Sequence, residues 1–449
     1  MVEVSLVYGR SSDLIEDPAG RLTVALATPP ATIGGRPVFF DGWVAQPRLV
    51  AALLLSIGAV ARARYFQPAS SRLLDPILTS GDDRLRIEAF SSCCGVYARA
   101  DLQGDQFQEA SIAPGTTNVD LGQGVRDALV RVDGASAMRL SVGDAGVQLT
   151  TRAVSAVERK VKLPTRWIKG LGEAALAQVG MRPLVELGAV AARRLLGVLP
   201  AGGSASAPGY SLVSAPGGVR FSQAPAGADV PYVAGPTRLR ELRPLGRFAT
   251  GLRVWARPGS GPRSCAWELT VPGGRVWFVL SPDVVRGFSG EGAALEALSD
   301  PAAVAEAVRL RGHLGWRARL DEDELAGVAG TSPQRVQTLL AVLGSQGLVG
   351  RDLAEEAWFR RDLPFAEEMI PNLAPRVRSS AAIADDDVDL RALPDGTHEA
   401  FVRSGNIEHR VVLDSDAASC TCTWYLRHAG SRGPCRHVLA VRARLRSGS

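Results

Sequence analysis

Four side chains near the end of the chain have the types and spacing that chemistry needs. Cys420, Cys422, Cys435 and His437 form two pairs, Cys-x-Cys and Cys-x-His, separated by twelve residues. Zn2+ takes four such ligands in a tetrahedron, with Zn–S bonds of about 2.3 Å. Three thiolates and one neutral imidazole fill every position, so no place remains for a catalytic water, and the set reads as one structural zinc ion. In a reducing compartment clustered cysteines point to metal before disulfide. The competing readings are buried free thiols beside a surface histidine, and a catalytic Cys–His pair. The second lacks an orienting Asn or Asp nearby, because no acid follows Asp416. His428, in the loop between the pairs, is a spare ligand read as solvent-facing.

The elements around these residues must bring the pairs together. Glu399 to Arg403 and Ile407 to Leu413 read as strands, with Ser404-Gly405-Asn406 as the hairpin turn between them. Gly433-Pro434 stops the following loop, and Cys435 to Leu445 reads as a helix. Val438, Val441 and Leu445 recur at helical spacing, and His437 lies one turn before Val441, on the side facing the hairpin. The run Cys420-Thr-Cys422-Thr-Trp424 … Gly433-Pro434-Cys435-Arg436-His437-Val-Leu-Ala-Val resembles the SWIM-type zinc finger. That resemblance implies a strand–strand–helix fold, one structural zinc, and a module that contacts DNA or proteins. Fingers of this family accompany chromatin-remodelling ATPases and transposases. The resemblance covers only about 50 of the 449 residues; upstream, the chain is similar to long bacterial proteins that carry such a finger.

Candidate nucleic-acid contacts follow from charge. From Ala417 to Ser449 there are six Arg and no acid. Arg442 and Arg446 share a helix face, Arg427 and Arg432 lie on the loop between ligand pairs, and Trp424 either packs inward or stacks on a base. A second basic window holds the chain's three lysines, Lys160, Lys162 and Lys169, with Arg159, Arg166 and Trp167. It reads as a phosphate-contacting patch or as a solvated helix entrance. Arg makes up 48 of the 51 basic residues, which looks like the codon bias of a GC-rich, bacterial genome, so single arginines are discounted.

The whole chain is too balanced for a general polyanion binder, with 51 basic and 46 acidic residues and a net charge of +5. Its length suggests roughly three domains, and 46% apolar content excludes global disorder. Six cysteines are too few for a disulfide scaffold. No basic leader opens the sequence, and the longest mainly apolar run, Leu49 to Ala61, is 13 residues, too short to span a bilayer, so a soluble cytoplasmic protein with no membrane partner is expected. No Gly-Lys-Ser/Thr, His-Glu-x-x-His or Gly-x-Ser-x-Gly occurs, and neither Gly122-Gln-Gly124 nor Gly170-Leu-Gly172 has the third glycine of a dinucleotide site.

The expected fold class is α+β and multidomain. The expected plan is an N-terminal α+β domain over 1–155, a helical segment with a basic entrance over 156–200, a β-rich region over 209–290, a winged-helix-like region over 291–370, and the finger over 391–449. Within the first segment a helix from Pro47 should bury Val50, Leu53, Leu54, Ile57 and Ala61, and Leu85 to Ala89 should be a half-buried strand. In the winged-helix-like region Ser332 and Pro333 start a helix that leaves Gln334, Arg335 and Gln337 outside, able to read base edges. Ten acids against four Arg from Asp321 to Glu368 oppose DNA there and favour a protein-facing or packing role. Pro371 to Asp389 reads as an acidic linker crossed by few contacts. Cys93, Cys94 and Cys265 read as buried thiols. The functional expectation is a non-enzymatic zinc protein whose finger binds nucleic acid. The alternatives are a protein-interaction scaffold and, third, an enzyme with a site in 1–290, which a cluster of buried carboxylates would indicate.

Overall fold

In the computed structural model Pro47 does open a helix, Pro47–Arg62, and Leu49, Val50, Leu53, Leu54, Ile57, Val60 and Ala61 are buried along it. The structure describes residues 38–66, 76–118, 121–133, 137–143, 146–151, 163–199, 209–224, 226–315, 319–361, 363, 374–414 and 417–447, with short strands at 3–4, 13–16 and 22–26. The architecture is mixed α and β.

The helix lies on an eight-stranded antiparallel sheet. Its order is Arg182–Gly188, Gly251–Ala256, Cys265–Val271, Gly274–Leu280, Val96–Gln103, Arg84–Phe90, Ile77–Gly81, Gly115–Asn118. A six-stranded sheet stands beside it, ordered Asp13–Glu16, Leu22–Leu26, Gly146–Thr151, Arg139–Gly143, Val38–Val44, Phe107–Ile112. The large sheet runs across the expected segment boundaries. Strands from 77–118 pair directly with strands from 251–280, through Val96–Gln103 against Gly274–Leu280, so the segments 1–155, 156–200 and 209–290 share one sheet and one core. Sequence periodicity sees strands but not which distant strand completes the ladder. The helical segment holds a strand as well: Arg182–Gly188 is an edge strand between the helices Thr165–Gln178 and Ala189–Gly197.

The strand read as half-buried is buried on both faces. Arg86 and Glu88 point from Arg84–Phe90 beneath the hairpin Val349–Asp352/Ala357–Arg360. That hairpin follows the helices Pro301–Arg311, Glu322–Ala329 and Pro333–Ser345, and Leu320 bridges Trp358 at its edge. Asp321 and Ser332 cap their helices, accepting from Glu324 N at 3.2 Å and Arg335 N at 3.2 Å. The last helix packs on Thr165–Gln178 so closely that a Cβ at Gly172 would lie 2.6 Å from the Gly344 carbonyl oxygen, which accounts for that glycine in packing terms.

Over its described residues, 374–389, the segment read as an acidic linker is structured. Pro375–Ala381 is a helix packed against the chain's last helix, Asp385–Asp387 form a short 3-10 turn, and Val388–Ala392 is the first strand of the finger's sheet. No helix among the described residues is long and apolar enough to cross a membrane.

Candidate metal centre and its surroundings

The finger is a four-stranded antiparallel sheet, Val388–Ala392, His398–Ser404, Ile407–Leu413 and Ala418–Cys420, followed by the helices Thr423–His428 and Arg436–Ser447. The two expected strands are its middle pair, and Gly405 takes φ +64° in their turn. Cys420 ends the fourth strand, Cys422 caps the first helix, and Cys435 and His437 open the second. The ligand atoms of all four lie within 4.8 Å of one another, and all four residues are buried.

This donor set fits a zinc ion. Cys420 Sγ lies 3.7 Å from His437 Nδ1, the separation expected for two ligands of a tetrahedral zinc, about 3.6 Å from the usual bond lengths. Each sulfur also accepts a backbone amide. Cys422 N donates to Cys420 Sγ at 3.4 Å, Tyr425 N to Cys422 Sγ at 3.4 Å, and Val438 N to Cys435 Sγ at 3.5 Å. Such bonds favour thiolates, and two of them come from helix starts, where the dipole adds to the effect. A hydrogen bond from Cys420 holds the Cys435 thiol down to about 4, while the same contact pushes Cys420 far above the ordinary thiol range. Crowded sulfurs thus repel a second and third negative charge, and a divalent cation is what lets all three ionise.

The arginines of the tail divide into two groups. Arg442 pairs with Glu296 at 2.5 Å, and Arg446 donates to Ser299 O at 3.1 Å and Oγ at 3.0 Å. Both dock the last helix onto Leu295–Leu298 and its neighbours, where Leu439 is buried against Leu295 and Ala374. In the structure both are docking contacts, and these bonds cross the segment expected to carry few. The sequence hides this because Glu296 lies 146 positions away. Arg442→Ala removes a part-exposed pair, 26% and 54% exposed, so it should cost less than about 1 kcal/mol in a denaturation curve.

The second group does converge. Arg432 donates to the Gly290 carbonyl through Nε and Nη2, both at 3.1 Å, and its guanidinium lies over the Trp424 ring, 5.1 Å from the centroid. Arg376, unremarked among so many arginines in the sequence, lies over the same ring at 4.5 Å. His428 packs against Trp424 at 4.4 Å between ring centroids, so it is half-buried, not simply solvent-facing. Trp424, expected either to pack inward or to stack on a base, is a platform for guanidiniums in the structure. Arg427 is exposed nearby. Lys169 sits half-buried on the helix Thr165–Gln178, where burial, Arg376 and Arg432 push its pKa down. Glu173, four residues on along the same helix, pulls it the other way. Trp167 is in the core against Phe90, not on a basic face. Lys160 and Lys162 lie outside the described residues.

The remaining candidates resolve into structure. Arg335 is held by Asp300 at 2.8 Å and Glu306 at 2.7 Å, and Gln337 donates to Glu322 at 2.6 Å, so these two are engaged rather than presented to bases. Cys94 and Cys265 are buried and Cys93 is half-buried. A cluster of buried carboxylates does exist in the first 290 residues: Glu88, Asp101 and Glu268, joined by Asp352. Arginines pair closely with Glu88, Asp101 and Asp352. Arg361 grips Glu88 through two bonds of 2.6 Å, Arg99 holds Asp101 at 2.9 Å, and Arg86 reaches Asp101 and Asp352 at 3.2 Å each. With side chains at 0 to 4% exposure, this network fastens the hairpin to the sheet.

Comparison with known proteins agrees at the finger. A family model described as SWIM zinc finger matches residues 409–441. A search of curated proteins finds no match. Among solved structures, the chain is similar to proliferating cellular nuclear antigen from Entamoeba histolytica. The identity is 10%, with 54% of this chain and 98% of that chain covered at a TM-score of 0.36. A score that low does not establish a shared fold.

Proposed function

Residues 409–441 being a SWIM zinc finger, we propose that the protein is a non-enzymatic, cytoplasmic nucleic-acid-binding protein in which zinc organises the binding module. The observation that carries this reading is the excess of guanidiniums beside the metal centre. Arg376, Arg427 and Arg432 gather there, and none of them forms an ion pair with a carboxylate among the described residues. The non-enzymatic part is supported by the ligand set, which occupies every position of a tetrahedral zinc with a protein atom. The three helices and hairpin over 301–360 support a winged-helix-like arrangement in a packing role. Its third-helix arginine, Arg335, is locked by acids and its hairpin is buried against the sheet.

The test is a titration of the zinc-loaded full chain with a mixed-sequence duplex at several salt concentrations. Log affinity should fall linearly with log salt at a slope of about −3 to −4. No binding at low salt overturns the reading. A scaffold for protein partners is the second reading, favoured by two apolar side chains projecting from the finger, Leu426 at 74% and Ile407 at 60% exposure.

A further inference from the structure

We infer that a phosphodiester backbone is gripped across the seam between finger and body, by Arg376, Arg427 and Arg432 from one side and Lys169 from the other. This rests on the nucleic-acid reading and gives it a place and a chemistry. The tail alone does not make the surface: Arg442 and Arg446 dock it, and the body supplies the opposite wall.

The geometry starts from Trp424. Its ring carries the guanidiniums of Arg376 at 4.5 Å and Arg432 at 5.1 Å, each fixed from behind by main-chain carbonyls. Arg376 Nη1 donates to Arg432 O at 2.7 Å and Pro434 O at 3.0 Å, and Arg432 donates to Gly290 O. Carbonyls orient a guanidinium without neutralising it, and each fork keeps donors free for a bidentate phosphate contact. Two such cations against one ring repel each other, and an anion relieves the repulsion. His428 reports the same field: burial and then Arg432, Arg427, Arg286 and Arg376 push its pKa down.

The acids facing the seam are already committed. Glu291 holds Arg286 at 2.6 Å. Glu173 accepts from Ala293 N at 2.8 Å, and burial pushes it up to about 7, so it carries less than a full charge near neutrality. Asp283 caps the amide of Val285 at 3.0 Å. The guanidiniums over Trp424 occupy the aromatic that a base would use, so the expected contact is to backbone and indifferent to sequence.

The experiment uses the zinc-loaded full chain with three variants, each checked for zinc content. Arg427→Gln removes an exposed cation with no intramolecular bond among the described residues. Arg432→Gln removes a seam cation together with its bond to Gly290. Arg442→Ala is the control on the docking helix. Arg427→Gln and Arg432→Gln should each weaken duplex binding several-fold and flatten the salt slope by about one unit, and Arg442→Ala should leave the slope unchanged. Inorganic tripolyphosphate, titrated calorimetrically, should bind and weaken in the same two variants. If duplex binds but the slope ignores Arg427→Gln and Arg432→Gln, the seam is overturned while the nucleic-acid reading stands. If tripolyphosphate binds through these residues and duplex does not, the anion site stands and the nucleic-acid reading falls. Failure of both ligands at low salt overturns both.

Discussion

Stripping zinc from the protein, or changing Cys422 to Ser, will unfold the finger and leave the rest of the chain folded. The finger's own core is small: Ala400, Val402, Val411, Leu413, Val438 and Val441 beside three cysteines. A core of that size rarely supplies more than about 3 to 5 kcal/mol. A structural zinc adds on the order of 10 kcal/mol, so it decides whether the module folds. The body does not depend on it, because its two main cores draw on residues 39–363 and contain no finger side chain. The damage will extend beyond the ligands in one direction. Leu439 leaves its pocket, and the helix Pro375–Ala381 loses the helix it packs against. Elemental analysis should give one zinc per chain. Hydrogen exchange after chelation should collapse over the described residues of 388–447 and persist over the described residues of 77–361, with limited proteolysis yielding a fragment that lacks the finger. A finger still protected in chelator with no metal bound would sink this expectation.

The second large effect lies in the ion network under the hairpin. Glu88→Ala leaves Arg361 buried and unpaired, and also removes the acceptor of the Tyr97 hydroxyl. Breaking one side of a buried pair costs about 3 to 5 kcal/mol, whereas replacing both partners by well-packed apolar residues is often neutral. Glu88→Leu with Arg361→Leu should therefore recover much of the stability that Glu88→Ala loses. Burial works against the ionised Glu88, but Arg361 outweighs it and holds the carboxyl below its ordinary value. A folded-state pKa below the unfolded one gives stability that is present above the unfolded pKa, about 4.3, and is lost as pH falls through the folded value. Denaturation of the wild type should show an acid limb below about pH 4 that is shallower in the double variant. An unchanged acid limb would mean that this pair does not set it.

Metal chemistry was legible because it is local. Two ligand pairs twelve residues apart, with a turn, a Gly-Pro stop and an apolar helical stripe, specify a tetrahedral site within one short stretch. The helix from Pro47 and the cap at Ser332 were legible for the same reason: propensity and period act over a few residues. What tertiary structure decided is which charges are free. Arg427, Arg432, Arg442 and Arg446 are equivalent in the sequence. Only the fold sets Glu296 against Arg442 and Ser299 against Arg446, while it adds Arg376 and Lys169 to Arg432. Likewise the polar residues of Leu85 to Ala89 promise a wet face, and the hairpin buries them in an ion network with Arg99, Asp101, Asp352 and Arg361. A charged side chain takes its role from a partner that can lie more than a hundred positions away along the chain. Spacing therefore fixes the metal site, and the fold alone fixes the surface it serves.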